Sequence, residues 1–184
     1  QLEIEGASGL KKNGVEKLHP IVARGFLIDV AGAKGVPNLE AGYEITMADV
    51  REALAKQGLA DTRFLPGDGL FFRTGWGVHW IKDNAKFNSG EPGIGMEVAR
   101  WLSDMVQAGV VGSDTWGLEN VPAKDAGCAF CIHAHLLTRH GIVNQENMDL
   151  DALAADKAWR FLYMYSPMPI VGATGSAGSP LAIK

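Results

Sequence analysis

The sequence predicts an α/β fold, a mixed β-sheet with flanking helices. Three observations predict it. Short apolar runs bounded by glycine or proline alternate with segments of helical period. Thr46 and Asp49 stand at the capping-box spacing just before an apolar-periodic stretch. Some connections are too short for the crossover that a parallel pair requires, so the pairing is expected to be mixed rather than purely parallel.

The opening stretch, Gln1 to Pro20, has no sustained period and contains Gly6, Gly9 and Gly14, so it reads as irregular or as a broken helix. Ile21 to Ala31 (IVARGFLIDVA) reads as a buried strand between Pro20 and Gly32. After a glycine/proline loop, Met47, Val50 and Leu54 predict a helix that Gly58 stops. Asp68 to Gly75 (DGLFFRTG) is the next strand, and Trp76 to Gly93 a long polar loop, a length that invites a functional reading. Val98, Leu102, Met105 and Val106 predict one buried helical face, with Gly109 as its C-cap. Val110 to Asp114 is a short buried strand ending in a carboxylate. A helix from about Ile132 to Arg139, an extended Gly141 to Met148, a helix from Leu150 to Ala158 and a strand from Trp159 to Tyr165 follow, before a glycine- and serine-rich tail. A single domain over residues 1–184 is expected.

Composition narrows the function classes. The 184 residues include 17 Lys+Arg and 21 Asp+Glu, a net charge of −4, with 47% hydrophobic residues. That is a core-forming composition without the clustered cations that phosphate neutralisation needs, so no nucleic-acid partner is expected. No apolar run is long enough to cross a bilayer, and no leader pattern is visible, so no membrane partner and a cytoplasmic location are expected, a leader removed ahead of Gln1 leaving no trace. Cys128 and Cys131 are too few and too close for a disulfide framework. Their apolar setting favours inert buried thiols over a redox dithiol.

Chemistry concentrates in C-A-F-C-I-H-A-H, Cys128 to His135, followed by His140 and Glu146. Cys, His and carboxylate all bind zinc, but His133 and His135 diverge by about 200° on a helix, so the whole set cannot close on one ion. His133, between Ile132 and the Leu136/Leu137 pair, needs partners for its ring nitrogens. Glu146 lies in an apolar-rich extended segment and needs a cation. A helix carrying His133, a turn at Gly141 and a returning strand carrying Glu146 would bring them together, as part of a divalent-metal site whose remaining ligands come from elsewhere. Asp114 ends a strand, where α/β sheets place their ligands, although turn capping explains it as well. Glu119, Asn120 and Asp125 share its loop without ranking. Trp76, His79, Trp80 and Asp114 are the candidate substrate-pocket residues; Phe71 and Phe72 could join them, with core packing the stronger expectation.

The segments GSDTWGLENVP, HAHLLTRHGIVNQENMDLDAL and MPIVGATGSAGSPLAI, with IVARGFLIDVAG and DGLFFRTGW before them, resemble the cyclase family of metal-dependent hydrolases, which includes bacterial kynurenine formamidases and isatin hydrolases. The resemblance implies the family's swivelling β/β/α fold. It also implies a zinc or manganese ion and hydrolysis of a C–N amide bond in a cyclic amide, lactam or aryl formamide by a metal-activated water. Family members carry an H-x-G-T-H-x-D metal motif in their N-terminal third; it has no counterpart here, so the chain is expected to correspond to the C-terminal portion of a longer domain. The later histidine and glutamate of the family's metal set carry over onto His133, by register with Leu136 and Leu137, and onto Glu146; His135 is the alternative if the register slips. No catalytic residue carries over. A small-molecule substrate and a homodimer or homotetramer are the implied partners. Two rival readings remain: a non-catalytic binding or assembly domain of the same fold that has lost the metal, and a redox or structural metal domain built on Cys128 and Cys131.

Overall fold

A computed structural model describes residues 5–6, 9–125 and 127–184. The chain divides into two compact units, Gln1–Arg24 with Phe161–Lys184, and Gly25–Arg160.

The main sheet runs through β3 (Ile21–Asp29), β5 (Gly69–Arg73), β7 (Val110–Ser113), β8 (Val143–Gln145), β9 (Arg160–Tyr165) and β10 (Leu181–Ile183). Its order is β10-β9-β3-β5-β7-β8. β3, β5, β7 and β8 pair in parallel, whereas β9 and β10 pair antiparallel, so the sheet is mixed as the sequence predicts. Parallel strands must be covered on both faces. Phe26, Ile28, Leu70, Phe72 and Val111 face the main core, where they meet Val50, Leu54, Val98 and Leu102. The alternate residues Leu27, Phe71 and Val110 are fully buried on the opposite face. Phe71 and Phe72 are therefore core residues. Gly112 follows from the same packing: a Cβ there would collide with Met148 and the Phe71 ring.

The helices of the larger unit are α1 (Val30–Lys34), α2 (Met47–Lys56), α3 (Asn84–Phe87), α4 (Met96–Arg100), α5 (Cys131–His133) and α6 (Asp151–Ala155). α2 carries the complete Thr46/Asp49 capping box. The predicted strand over residues 21–31 stops two residues early, because the Asp29 side chain accepts from the Gly32 amide and caps α1. Inside the predicted 76–93 loop lie a 3₁₀ turn (Trp76–His79), α3 and β6 (Gly93–Ile94), which pairs in parallel with β4 (Glu44–Ile45). These pieces are too short for periodicity to show.

α4 continues as a π-helix over Trp101–Val106, and α5 as another over Ala134–Arg139. The first corrects the predicted face. Val98, Leu102 and Val106 are buried, but Met105 is 77% exposed. Hydrogen bonds to the fifth residue instead of the fourth widen the turn and rotate Met105 away. Gln107, not Gly109, takes the left-handed cap.

In the smaller unit, β1 (Glu5–Gly6) and β2 (Gly9–Leu10) pair antiparallel, and a 3₁₀ turn covers Val15–Lys17, where an irregular stretch or broken helix is predicted. The Leu10 and Val15 amides donate to the Gly172 and Ala173 carbonyls. Tyr163 and Tyr165 are buried on one face of β9. β10 gives the tail a strand that its composition hides. Among the described residues no helix is long and apolar enough to cross a membrane.

Candidate metal centre at the strand ends

Thr74, Asp114 and Glu146 each follow the C-terminal end of a parallel strand, where an α/β sheet opens its ligand crevice. Beyond β7 the chain turns back along β6: Glu91 bridges Val121 and Ile94 bridges Glu119. That loop sets Glu119 into the interior beside the start of α5 and pairs with the segment that carries the buried Glu91.

His133 is where these elements meet. Its Nδ1 lies 2.6 Å from Glu119 Oε1, and its Nε2 lies 2.9 Å from Glu146 Oε1. Glu119 also accepts from the His133 amide at 3.0 Å and the Ile132 amide at 3.4 Å. One buried carboxylate thus satisfies the open first turn of α5 and fixes the ring that the turn carries. Glu119, and then Glu146, push the His133 pKa up to about 9, against the opposing effect of burial. The pairing expected between His133 and Glu146 is present in the geometry. Glu119 was unranked in the sequence, because no spacing connects it to a helix that begins a dozen residues later.

Glu91 went unnoticed for the same reason. It is 0% exposed, its Oε2 accepts from the Trp116 amide at 2.6 Å, and its Oε1 has no hydrogen-bond partner. Burial pushes its pKa up to about 8; the Trp116 and Gly117 amides oppose this and the charge of Glu146 adds to it. A carboxyl group so placed keeps its proton at neutral pH. Phe130 packs edge-on to the His133 ring at 5.6 Å, and Trp116 lies 6.2 Å from Phe130, which makes an aromatic wall beside the imidazole.

His135 points elsewhere. Its Nε2 lies 2.9 Å from Ser103 Oγ and its ring lies 4.5 Å from that of His140. The helix therefore sends His133 toward Glu146 and His135 toward α4, and the alternative register finds no carboxylate of this centre.

The four pocket candidates separate. Trp80 and Asp114 line a cavity of about 260 Å³ with Phe87, Asn147 and Met148, whereas Trp76 and His79 are not among its lining residues. Asp114 is buried, accepting from the Thr74 amide and hydroxyl and from the Gly75 amide at 2.6–2.8 Å. It clamps the end of β5 to the end of β7, and burial raises its pKa against those bonds. Gly75 takes a positive φ of 75° there, and a Cβ would strike the Pro37 carbonyl, so both the turn and the close approach call for glycine. Trp76 is a core residue whose Nε1 donates to the Phe87 carbonyl, the same acceptor that the Trp116 indole uses. His79 packs edge-on to Trp76 at 4.8 Å with its Nε2 buried and unpartnered, and burial, then Lys86, lowers its pKa. Cys128 and Cys131 form a disulfide and are half-buried, in place of the inert buried thiols expected. Three residues apart with their Cα atoms 5.1 Å from each other, they can close this small loop without a framework.

At one end of the sheet the chain thus gathers one imidazole, His133, with three carboxylates, Glu91, Glu119 and Glu146, on an α/β frame. The family model Cyclase matches residues 5–120, and the chain belongs to that family. Comparison with solved structures finds a cyclase with 34% identity and a TM-score of 0.80, over 93% of this chain and 57% of that one. The isatin hydrolase A of Ralstonia solanacearum matches at 22% identity and a TM-score of 0.72, over 97% of this chain and 68% of that one. A protein from Bacillus stearothermophilus, described as a predicted metal-dependent hydrolase, matches at 20% identity and 0.59, over 98% and 71%. The latter two show a shared fold. Comparison with curated proteins returns no match. The chain thus spans somewhat more than half the length of the cyclase that it resembles at 34% identity.

Proposed function

We propose that this chain forms part of a hydrolase that cleaves a C–N amide bond in a cyclic amide, lactam or aryl formamide, with a divalent zinc or manganese ion held by His133 and Glu146. The observation that carries the reading is the His133 ring itself, with Nδ1 fastened to Glu119 and Nε2 turned to Glu146. Metal-ligating histidines usually hand their second nitrogen to a carboxylate, which fixes the tautomer and raises the basicity of the ligating nitrogen. The residues present fit such an ion, supplying two of the three protein ligands that a catalytic site normally has. The ligand types suit zinc and manganese alike. When bound, such an ion supplies a water of lowered pKa and polarises the amide carbonyl.

The chain's own residues do the rest of what can be assigned. Glu119 orients the imidazole. Glu91, protonated near neutral pH, avoids adding a third negative charge to the Glu119/Glu146 pair. Phe130 and Trp116 offer an apolar wall suited to an aryl ring. The names of the isatin hydrolase neighbours, whose substrate is a cyclic amide, support that substrate class, and the two neighbours described as metal-dependent hydrolases support the ion.

The test is metal analysis and isatin ring-opening measured together on the purified protein, its His133→Ala and its Glu146→Ala variants. The expected result is zinc or manganese in the parent and loss of the metal in each variant; ring-opening, which needs a third ligand beyond His133 and Glu146, is expected where that ligand is supplied and is lost with the metal. Metal retained in both variants would overturn the assignment. A parent that binds no metal at this centre would favour a binding or assembly domain.

A further inference from the structure

The helix that turns His133 inward leaves a second group of ligand-type side chains on its other face. Asp104, His135 and His140 each offer one ligand atom, and these atoms lie within 4.8 Å of one another. We propose that these three residues form a second metal site, for a divalent transition ion of the zinc, cobalt or nickel class, clamped between the π-helical ends of α4 and α5.

The backbone carries the first part of the argument. His135 and His140 are five residues apart, which on an α-helix places them roughly 140° apart and out of reach. On the π-helix over Ala134–Arg139 the turn is about a residue wider, so side chains five apart come onto one side. The two rings accordingly lie 4.5 Å apart with a 43° tilt. The π-helix over Trp101–Val106 presents Asp104 to the same place. Two wide turns, each costly as helix geometry, converge on one group of ligands.

Hydrogen bonding carries the second part. Ser103 Oγ lies 2.7 Å from Asp104 Oδ1, 3.2 Å from the Arg100 carbonyl and 2.9 Å from His135 Nε2. A hydroxyl has one proton, and the carboxylate is the nearer and stronger acceptor. His135 must then donate through Nε2, which leaves the lone pair on Nδ1. An imidazole in that tautomer offers a proton to the serine instead of taking one, so the Ser103–His135 contact is not a nucleophile with its base. It is a ring held by its second nitrogen with the other nitrogen open, the arrangement of a metal ligand.

Charge agrees with this. Asp104 supplies the one negative charge of the group, beside two imidazoles whose neutral form binds metal. Arg100 and Arg139 face the His135 ring and oppose a cation, while Asp104 favours one. Two imidazoles and one carboxylate select a borderline transition ion over calcium or magnesium, which prefer oxygen. None of the three ligands is shared with His133, Glu119 or Glu146.

The test titrates chelator-treated protein with Co²⁺, read by its visible absorption, and with Zn²⁺, read by equilibrium dialysis. The parent should bind one equivalent more than His140→Ala, an exposed substitution that leaves the core untouched, and His135→Asn should lose the same equivalent. His133→Ala should keep it. Affinity at this site should fall at least roughly tenfold when either imidazole is removed. Equal stoichiometry and affinity in the parent and in folded His140→Ala, or no extra equivalent in the parent, would overturn the site.

Discussion

Two imidazoles two residues apart on one short helix meet opposite surroundings. His133 lies between two carboxylates and its pKa is pushed up to about 9, whereas His135 meets a serine hydroxyl and a second imidazole and its pKa is lowered. Sequence context is nearly the same for both, since each sits between small or apolar residues. The charge on an imidazole is set by what the fold brings across from other segments, here a loop beyond β7 and a strand end for His133, and a neighbouring helix for His135.

The contrast can be tested from its strongest consequence downward. Replacing His133 by Ala should abolish metal binding at the inner centre and lower hydrolysis by at least about 100-fold, measured by metal analysis and initial rates. The same change at His140 should leave the rate within about twofold, because the outer group has no part in the inner centre. Glu119→Gln should keep the ring's neighbour but weaken its orientation, so inner-site affinity should fall roughly 10- to 100-fold in a chelator competition. Asp104→Asn should leave that affinity unchanged.

Stability measurements probe the burial behind the contrast. Leu102→Ala removes a fully buried side chain and should cost about 2–5 kcal/mol by urea denaturation. Glu91→Gln tests the dryness of the inner cluster. The Glu91 pKa is raised from its ordinary 4.5 to about 8, so the folded chain keeps a proton that the unfolded chain has released between those values. The Glu91 contribution to the parent's stability should therefore fall as pH rises from about 4.5 to about 8 and level off above, by on the order of 5 kcal/mol. Urea melts at pH 5 and pH 8 should show this fall in the parent and a clearly smaller one in Glu91→Gln, where the raised His133 pKa still contributes. Smallest of all, Met105→Ala should change stability by less than about 0.5 kcal/mol, because the π-turn turns that side chain to solvent. A cost similar to that of Leu102→Ala would mean that the α-helical register applies and that the outer ligands do not converge.

Much of the fold was legible because local signals agree with their global use. The β-branched and aromatic runs at β3, β5 and β7, the Thr46/Asp49 cap and the glycine turn at Gly141 all stand where the sequence puts them. The pieces that escaped have two to five residues, β1, β2, β4, β6, β10, α1 and α3 among them, a length below one clear period of either pattern. Met105 was misplaced because 3.6-residue spacing is assumed whenever a helix is read from periodicity, and a π-turn leaves no compositional mark.

For the candidate centre, residue types and spacing were enough to pick out His133 and Glu146, since an imidazole and a carboxylate in apolar segments each need a partner. Glu91 and Glu119, the π-turns, and the divergence of His133 from His135 came from packing. A buried carboxylate is recognised by what surrounds it, and those surroundings are assembled from segments far apart in the chain. Local propensity carries information over a turn or two, whereas the field at a side chain sums over every element that folds against it.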